Sequence, residues 1–148
     1  MVYLDTSIVA PLLLPEATSD EVERYLQNFA AGELSTSAWT KVEFSSLVSR
    51  KLRMGELDER EADEVRAELD RMLAESYQVL LPSAADYELA VELLKNHKTG
   101  LRAGDGLHLA VAHNQRAHKI LSLDLGLIKA AKKLGIPAEP GIKQPRGR

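Results

Sequence analysis

Asp5, Glu43, Asp105 and Asp124 are the residues of this chain whose types and settings suit shared chemistry. Two of them end short apolar runs, Asp5 after Val2-Tyr3-Leu4 and Asp124 after Ile120-Leu121-Ser122-Leu123. Asp105 stands between glycines in Gly104-Asp105-Gly106-Leu107-His108-Leu109-Ala110, and Glu43 lies in Thr40-Lys41-Val42-Glu43-Phe44. Carboxylates brought together cannot all stay ionised without a cation, because each raises the pKa of its neighbours. A hard divalent ion resolves that conflict. The chain has no cysteine and no histidine pair at helical ligand spacing, so its oxygen donors point to Mg2+ or Mn2+ rather than zinc. Mg2+ keeps several waters and takes only one or two carboxylates directly, leaving the other acids to bind through water or act on it.

Singly, each acid has an ordinary explanation. Asp5 and Asp124 each precede an expected helix and would serve as its cap. Glu43 alone reads as a solvated helix position, and Asp105 in a first helical turn favours the helix dipole. Gly104 and Gly106 are less ordinary. Two glycines inside a helix cost roughly 1–2 kcal/mol, so close approach or special backbone geometry is the expected reason for them. His108 follows Asp105 by one turn and His113 falls on another face, so both are read as packed or solvated rather than as zinc ligands.

The elements that must position these acids alternate along the chain. Residues 2–4 suit a buried first strand, and a helical pattern over residues 7–14 breaks near Pro15. Thr18-x-x-Glu21 resembles a capping box for a helix reaching about residue 29, ahead of a turn at Gly32. Residues 34–36 suit a second strand, and Ser37 caps a helix over residues 38–54 that Gly55 stops. Asp58-x-x-Glu61 opens a helix with Ala62, Val65, Leu69, Met72 and Leu73 on one stripe. A third strand is expected over residues 77–81, and Ser83-x-x-Asp86 starts a helix through about residue 96. A helix over residues 103–117, a strand over 119–123 and a helix over 125–134 follow. Residues 136–139 form a short fifth strand that Pro137 puts at an edge. This alternation predicts an α/β fold with a mainly parallel sheet of four to five short strands flanked by helices. Ligands of such sheets bind beyond the carboxyl ends of the strands, where Asp5 and Asp124 fall.

The 148 residues, 45% of them apolar, suffice for one domain with its own core. The absence of cysteine excludes a disulfide scaffold, an iron–sulfur cluster and a cysteine nucleophile. The longest apolar run, residues 8–14, is interrupted by Pro11 and falls well short of the ~20 residues that cross a bilayer. Met1-Val2-Tyr3 carries no basic region of a secretory signal. The expectation is a soluble cytoplasmic protein with no membrane association. Residues 1–94 hold 8 Lys/Arg against 19 Asp/Glu, whereas residues 95–148 hold 11 against 3. Either the two parts pack on each other, or the basic part meets an anionic partner such as nucleic acid. Lys95, Lys98, Arg102 and the Lys129, Lys132, Lys133 surface are the phosphate-binding candidates. Ile8, Val9, Leu12 and Leu13, with Val22, Tyr25 and Leu26, would form either core or a groove for a partner segment. There is no phosphate loop and no dinucleotide fingerprint.

From Leu4-Asp5-Thr6-Ser7 to Leu134-Gly135-Ile136-Pro137, the chain resembles PIN-domain ribonucleases of the VapC toxin type. The family's acidic positions match Asp5, Glu43, Asp105 and Asp124, and Ser7 matches its small hydroxyl residue near the metal. The most specific piece is the stretch from Gly104 to Ala110; the one departure is Gly106, where alanine is more usual. The resemblance implies a PIN-like α/β/α sandwich over residues 1–140 followed by a basic tail, residues 141–148. It implies a Mg2+- or Mn2+-dependent endoribonuclease, the toxin of a toxin–antitoxin pair, with RNA as substrate, a small antitoxin as partner, and a homodimer. Asp5 and Asp105 would hold the metal directly, Glu43 and Asp124 would complete its shell through water or orient the nucleophile, and Ser7 would hydrogen-bond behind them. Two other classes compete. A haloacid-dehalogenase-like phosphatase wants a second aspartate two residues after the first, where this chain has Ser7. A non-catalytic RNA- or protein-binding module would account for the charge split alone.

Overall fold

A computed structural model describes residues 1–142. Five strands, β1 (Val2–Leu4), β2 (Leu34–Ser37), β3 (Gln78–Leu80), β4 (Lys119–Ser122) and β5 (Ala138–Pro140), form one sheet in the order β3-β2-β1-β4-β5. Every pairing is parallel, with Leu4 opposite Leu121 and Ser37 opposite Leu80. The expected edge position of β5 holds. Seven helices flank the sheet: α1 (Thr6–Val9), α2 (Ser19–Leu26), α3 (Ala38–Arg53), α4 (Glu59–Ser76), α5 (Ala84–Leu94), α6 (Ala103–Asn114) and α7 (Leu125–Lys133).

Strand alternation divides the core into two. Val2, Leu4 and Leu121 face a cluster with Ile8, Phe44, Val48, Leu69 and Leu73 from α1, α3 and α4. Tyr3 and Ile120 face the other side, with Leu107, Val111 and Leu127 from α6 and α7. The result is the expected α/β/α sandwich. The chain adds β2 and β3 on one side of β1, then β4 and β5 on the other, so the connection order reverses at β1 and β4. That reversal opens a crevice beyond their carboxyl ends.

Local chemistry sets most boundaries. Asp58 and Ser83 form complete capping boxes with Glu61 and Asp86, and Ser37 Oγ accepts from the Trp39 N–H. Other expectations are corrected. The helix expected over residues 7–14 ends at Val9 and tightens into a 3-10 turn, Ala10–Leu12, because Pro11 has no N–H to continue it. Thr18 makes no side-chain cap, and the Ser19 hydroxyl instead accepts from the Glu16 N–H at 2.9 Å. α2 ends at Leu26 rather than near residue 29. α6 stops at Asn114 rather than at residue 117, because Arg116 turns left-handed at φ 55° and the Ala117 N–H closes back on the Ala112 carbonyl.

The apolar residues considered for a partner groove belong mainly to the core: Ile8, Val9, Val22 and Leu26 are buried, and Leu12, Leu13 and Tyr25 pack against them. Gly141 donates to the Ser122 carbonyl at 3.3 Å and Ile142 packs on the core. The rest of the expected tail, residues 143–148, lies outside the described residues. No helix among the described residues is long and apolar enough to cross a membrane.

Candidate functional site

The sheet delivers Asp5 and Ser122 to the crevice from neighbouring strands. Asp5 is 3% exposed and does not cap α1. Instead, Ser7 Oγ donates to its Oδ1 and Ser122 Oγ to its Oδ2, each at 2.6 Å. Both serines are themselves fixed, because Ser7 Oγ accepts from the Leu123 N–H and Ser122 Oγ from the Asp124 N–H. Burial pushes the Asp5 carboxyl above its usual pKa, and the hydroxyls and the nearby His108 only partly offset that rise.

Asp124 does act as a cap. Its Oδ1 accepts from the N–H groups of Gly126 and Leu127 at 2.8 and 3.2 Å, and the residue is exposed. Its charge still reaches Asp105 in the first turn of α6. Burial, then the negative charges of Asp124 and Asp5, lift the Asp105 pKa to about 6.

Glu43 leans in from α3 and is not the solvated position that its own sequence context suggested. Thr6 Oγ1 donates to Glu43 Oε1 at 2.7 Å, and His108 Nε2 contacts the same oxygen. Burial raises the Glu43 pKa, but hydrogen bonds and charge from His108, together with Thr6, outweigh it and hold the carboxyl below its usual range. His108 is 1% exposed, and its Nδ1 lies 2.7 Å from the Tyr3 hydroxyl.

Gly104 is explained by close approach. A Cβ there would stand 2.8 Å from Glu43 Oε2 and 3.3 Å from Trp39 Nε1. Trp39 Nε1 is the one buried side-chain donor without a partner among the described residues. Gly106 meets only the Leu94 side chain, at 3.2–3.4 Å.

The fold therefore brings Asp5, Asp105 and Asp124 into electrostatic reach of one another and places Glu43 beside Gly104. Among the described residues, no three His, Asp or Glu side chains converge into a ready-made metal cluster. The donors are nonetheless hard oxygens: burial raises the Asp5 carboxyl, and Asp105 is raised by burial and by the negative charges of Asp124 and Asp5, a repulsion that a divalent cation would offset. A cavity of about 310 Å3 lined by Thr6, Ser7, Ala10, Glu16, Leu47, Leu123 and Asp124 opens beside them. At the other end of α7 from Asp124, Lys133 Nζ donates to the Lys98 carbonyl, so the two basic runs share one surface with exposed Lys132. Thr6, Ser122 and Tyr3 are not among the residues that the sequence singles out, and His108 reads there as packed or solvated.

The sequence matches the PIN domain over residues 2–133, while no curated protein matches it. In fold, the chain is similar to FitAcB from Neisseria gonorrhoeae, with a TM-score of 0.76 at 18% identity, covering 95% of this chain and 98% of that one. It is also similar to Mycobacterium tuberculosis VapC20, a sarcin-ricin loop cleaving toxin, with a TM-score of 0.71 at 20% identity, covering 92% and 96%. A toxin-antitoxin complex from Klebsiella pneumoniae gives a TM-score of 0.66 at 17% identity, covering 97% and 100%. At these identities the likeness is one of fold. The match over residues 2–133 is what assigns the family: the chain belongs to the PIN-domain family.

Proposed function

We propose that the protein is a Mg2+- or Mn2+-dependent endoribonuclease and the toxin of a toxin–antitoxin pair. The observation that carries this reading is the carboxylate group at the β1–β4 crevice, where neighbouring negative charge helps lift Asp105 to a pKa of about 6. The toxins among the structural neighbours support it. Asp5 and Asp105 would hold the ion directly, with Glu43 and Asp124 reaching it through water. When bound, such an ion lowers the pKa of water and offsets negative charge on the attacked phosphate.

The chain's own residues do the rest. Ser7 and Ser122 keep both Asp5 oxygens as acceptors in a fixed orientation. Glu43, held below the usual carboxylate range, stays ionised and able to take a proton from the attacking water. Lys98, Arg102, Lys132 and Lys133 draw in the RNA backbone.

Silencing by a small antitoxin belongs to the same proposal. A groove of about 660 Å3 beside α4 presents Leu14, Leu57 and Val65 with Glu61, Glu64 and Glu68, which suits a basic amphipathic segment. Exposed Leu81, Tyr87 and Val91 near and on α5 support self-association into a homodimer. Purified protein should cut RNA with Mg2+ or Mn2+ and stop on addition of EDTA. Cleavage that persists in excess EDTA overturns the reading. A chain that stays monomeric by light scattering, and is not inhibited by the product of any small gene adjacent to its own, removes the toxin assignment alone.

A further inference from the structure

His108 is the one histidine of the chain with its side chain enclosed. Tyr3 lies 105 residues away and Glu43 65 residues away in sequence, yet both touch this ring. The Tyr3 and His108 rings meet edge to face, with centroids 5.7 Å apart. The partners order the contacts. The Tyr3 phenol reaches Nδ1 at 2.7 Å, and Nε2 faces Glu43 Oε1 and Thr6 Oγ1. Ionised Glu43 can only accept, so an Nε2–H points at it, and the Tyr3 hydroxyl lies against Nδ1 from behind. Thr6 gives its single proton to the same Glu43 oxygen at 2.7 Å. Oε1 is thereby tied down twice, and Oε2 is left on the side of Gly104 and Trp39, next to the first turn of α6 that carries Asp105.

We propose that His108 is a positioning residue, locked by Tyr3, which fixes the Glu43 carboxylate so that one oxygen is anchored and the other is held at Gly104, beside the turn that carries Asp105. The inference rests on the proposed nuclease function only for what Glu43 then does; the positioning itself is a property of the chain. His108 has no path to the substrate except through Glu43, because its ring is enclosed by Tyr3, Thr6 and Glu43. Its effect must therefore vanish when Glu43 can no longer act.

The test is a double-mutant cycle. His108→Leu removes the donor, His108→Gln returns an amide donor at the same reach, and Glu43→Gln removes the carboxylate. Circular dichroism establishes that each variant folds, and Tyr3→Phe, which keeps the ring, stands in if His108→Leu does not. His108→Leu should lower kcat for RNA cleavage about 10–100-fold with KM within twofold, the range in which outer partners of ligating side chains act. His108→Gln should recover most of the loss, and His108→Leu should change nothing further in the Glu43→Gln background. Mn2+ affinity, followed by electron paramagnetic resonance, should fall several-fold in His108→Leu and show the same loss of effect in that background. A His108→Leu variant within twofold of the wild type in both readouts overturns the proposal, as does an equal loss with and without Glu43. If the wild type cuts no RNA, the nuclease reading fails while the Mn2+ cycle still decides the role of His108.

Discussion

Ser122 at the end of β4 donates to Asp5 Oδ2 at 2.6 Å, tying together the two strands at which the sheet reverses its connection order. With Ser7 on Oδ1, it commits both oxygens of a nearly sealed carboxylate. Asp5→Asn should reduce cleavage at least ~100-fold, consistent with loss of a direct ligand, while the fold survives. Because burial disfavours the charge, the metal-free variant should melt at or above the wild-type temperature. Calorimetry with and without Mg2+ checks this: the wild type should gain Tm from the ion and the variant much less. A variant that cleaves normally at saturating metal removes Asp5 from the site.

Asp105 sets a pH dependence. Its folded pKa, about 6, lies above its ordinary value of 3.8. The folded chain therefore holds this proton more tightly than the unfolded one. The contribution is fully present below about pH 4 and is lost as pH rises through about 6. Screened by the solvent that reaches this partly exposed group, it amounts to about 1–2 kcal/mol. Urea unfolding at pH 4.5 and 7.5 should show Asp105→Asn less sensitive to pH than the wild type, and Mg2+ should recover wild-type stability at pH 7.5. Equal pH dependence in the two proteins would contradict this assignment.

Gly104 and Gly106 should part company. An alanine at 104 places a Cβ 2.8 Å from Glu43 Oε2, so Gly104→Ala should displace that carboxylate and cost about tenfold or more in kcat, the usual price of disturbing a supporting contact. At 106, the nearest atoms belong to the flexible Leu94 side chain. Gly106→Ala should stay active and change stability by no more than about 1 kcal/mol, since helix propensity favours alanine by about that amount. Kinetics and melting curves on both variants separate the two positions.

Arg116 holds a left-handed conformation at φ 55°, the place at a helix end that Gly55 and Gly135 fill elsewhere in this chain. Arg116→Gly should relieve about 1 kcal/mol of backbone strain, raising Tm by about 2–4 °C for a domain of this size. A lower Tm would show that the Arg116 side chain contributes more than its backbone costs.

How far the sequence revealed the fold depended on whether the signal was local. Parallel strands are short apolar runs, and the capping boxes at Asp58 and Ser83 announce their helices, so the succession of elements and the mainly parallel sheet could be read directly, whereas the layering came from the family resemblance and the strand order from the structure. Asp5 and Asp124 looked alike because each ends a strand before a helix; only the structure separates the buried carboxylate held by serines from the exposed cap. Glycines around Asp105 signalled a close approach without naming Glu43 as the approaching group. Thr6, Ser122, Tyr3 and His108 acquire their roles through hydrogen bonds between residues 37 to 117 positions apart, and no periodicity records such pairings. The end of α6 was missed because an arginine took a conformation that residue type assigns to glycine.

The most direct test is single-turnover cleavage of an RNA substrate across a Mn2+ titration, comparing the wild type with Asp105→Asn. The wild type should go from no cleavage without metal to a saturating rate, and Asp105→Asn should stay at least ~100-fold slower at every concentration. Metal-independent cleavage by the wild type, or matching titrations for the two proteins, would contradict a carboxylate-held metal as the centre of this site.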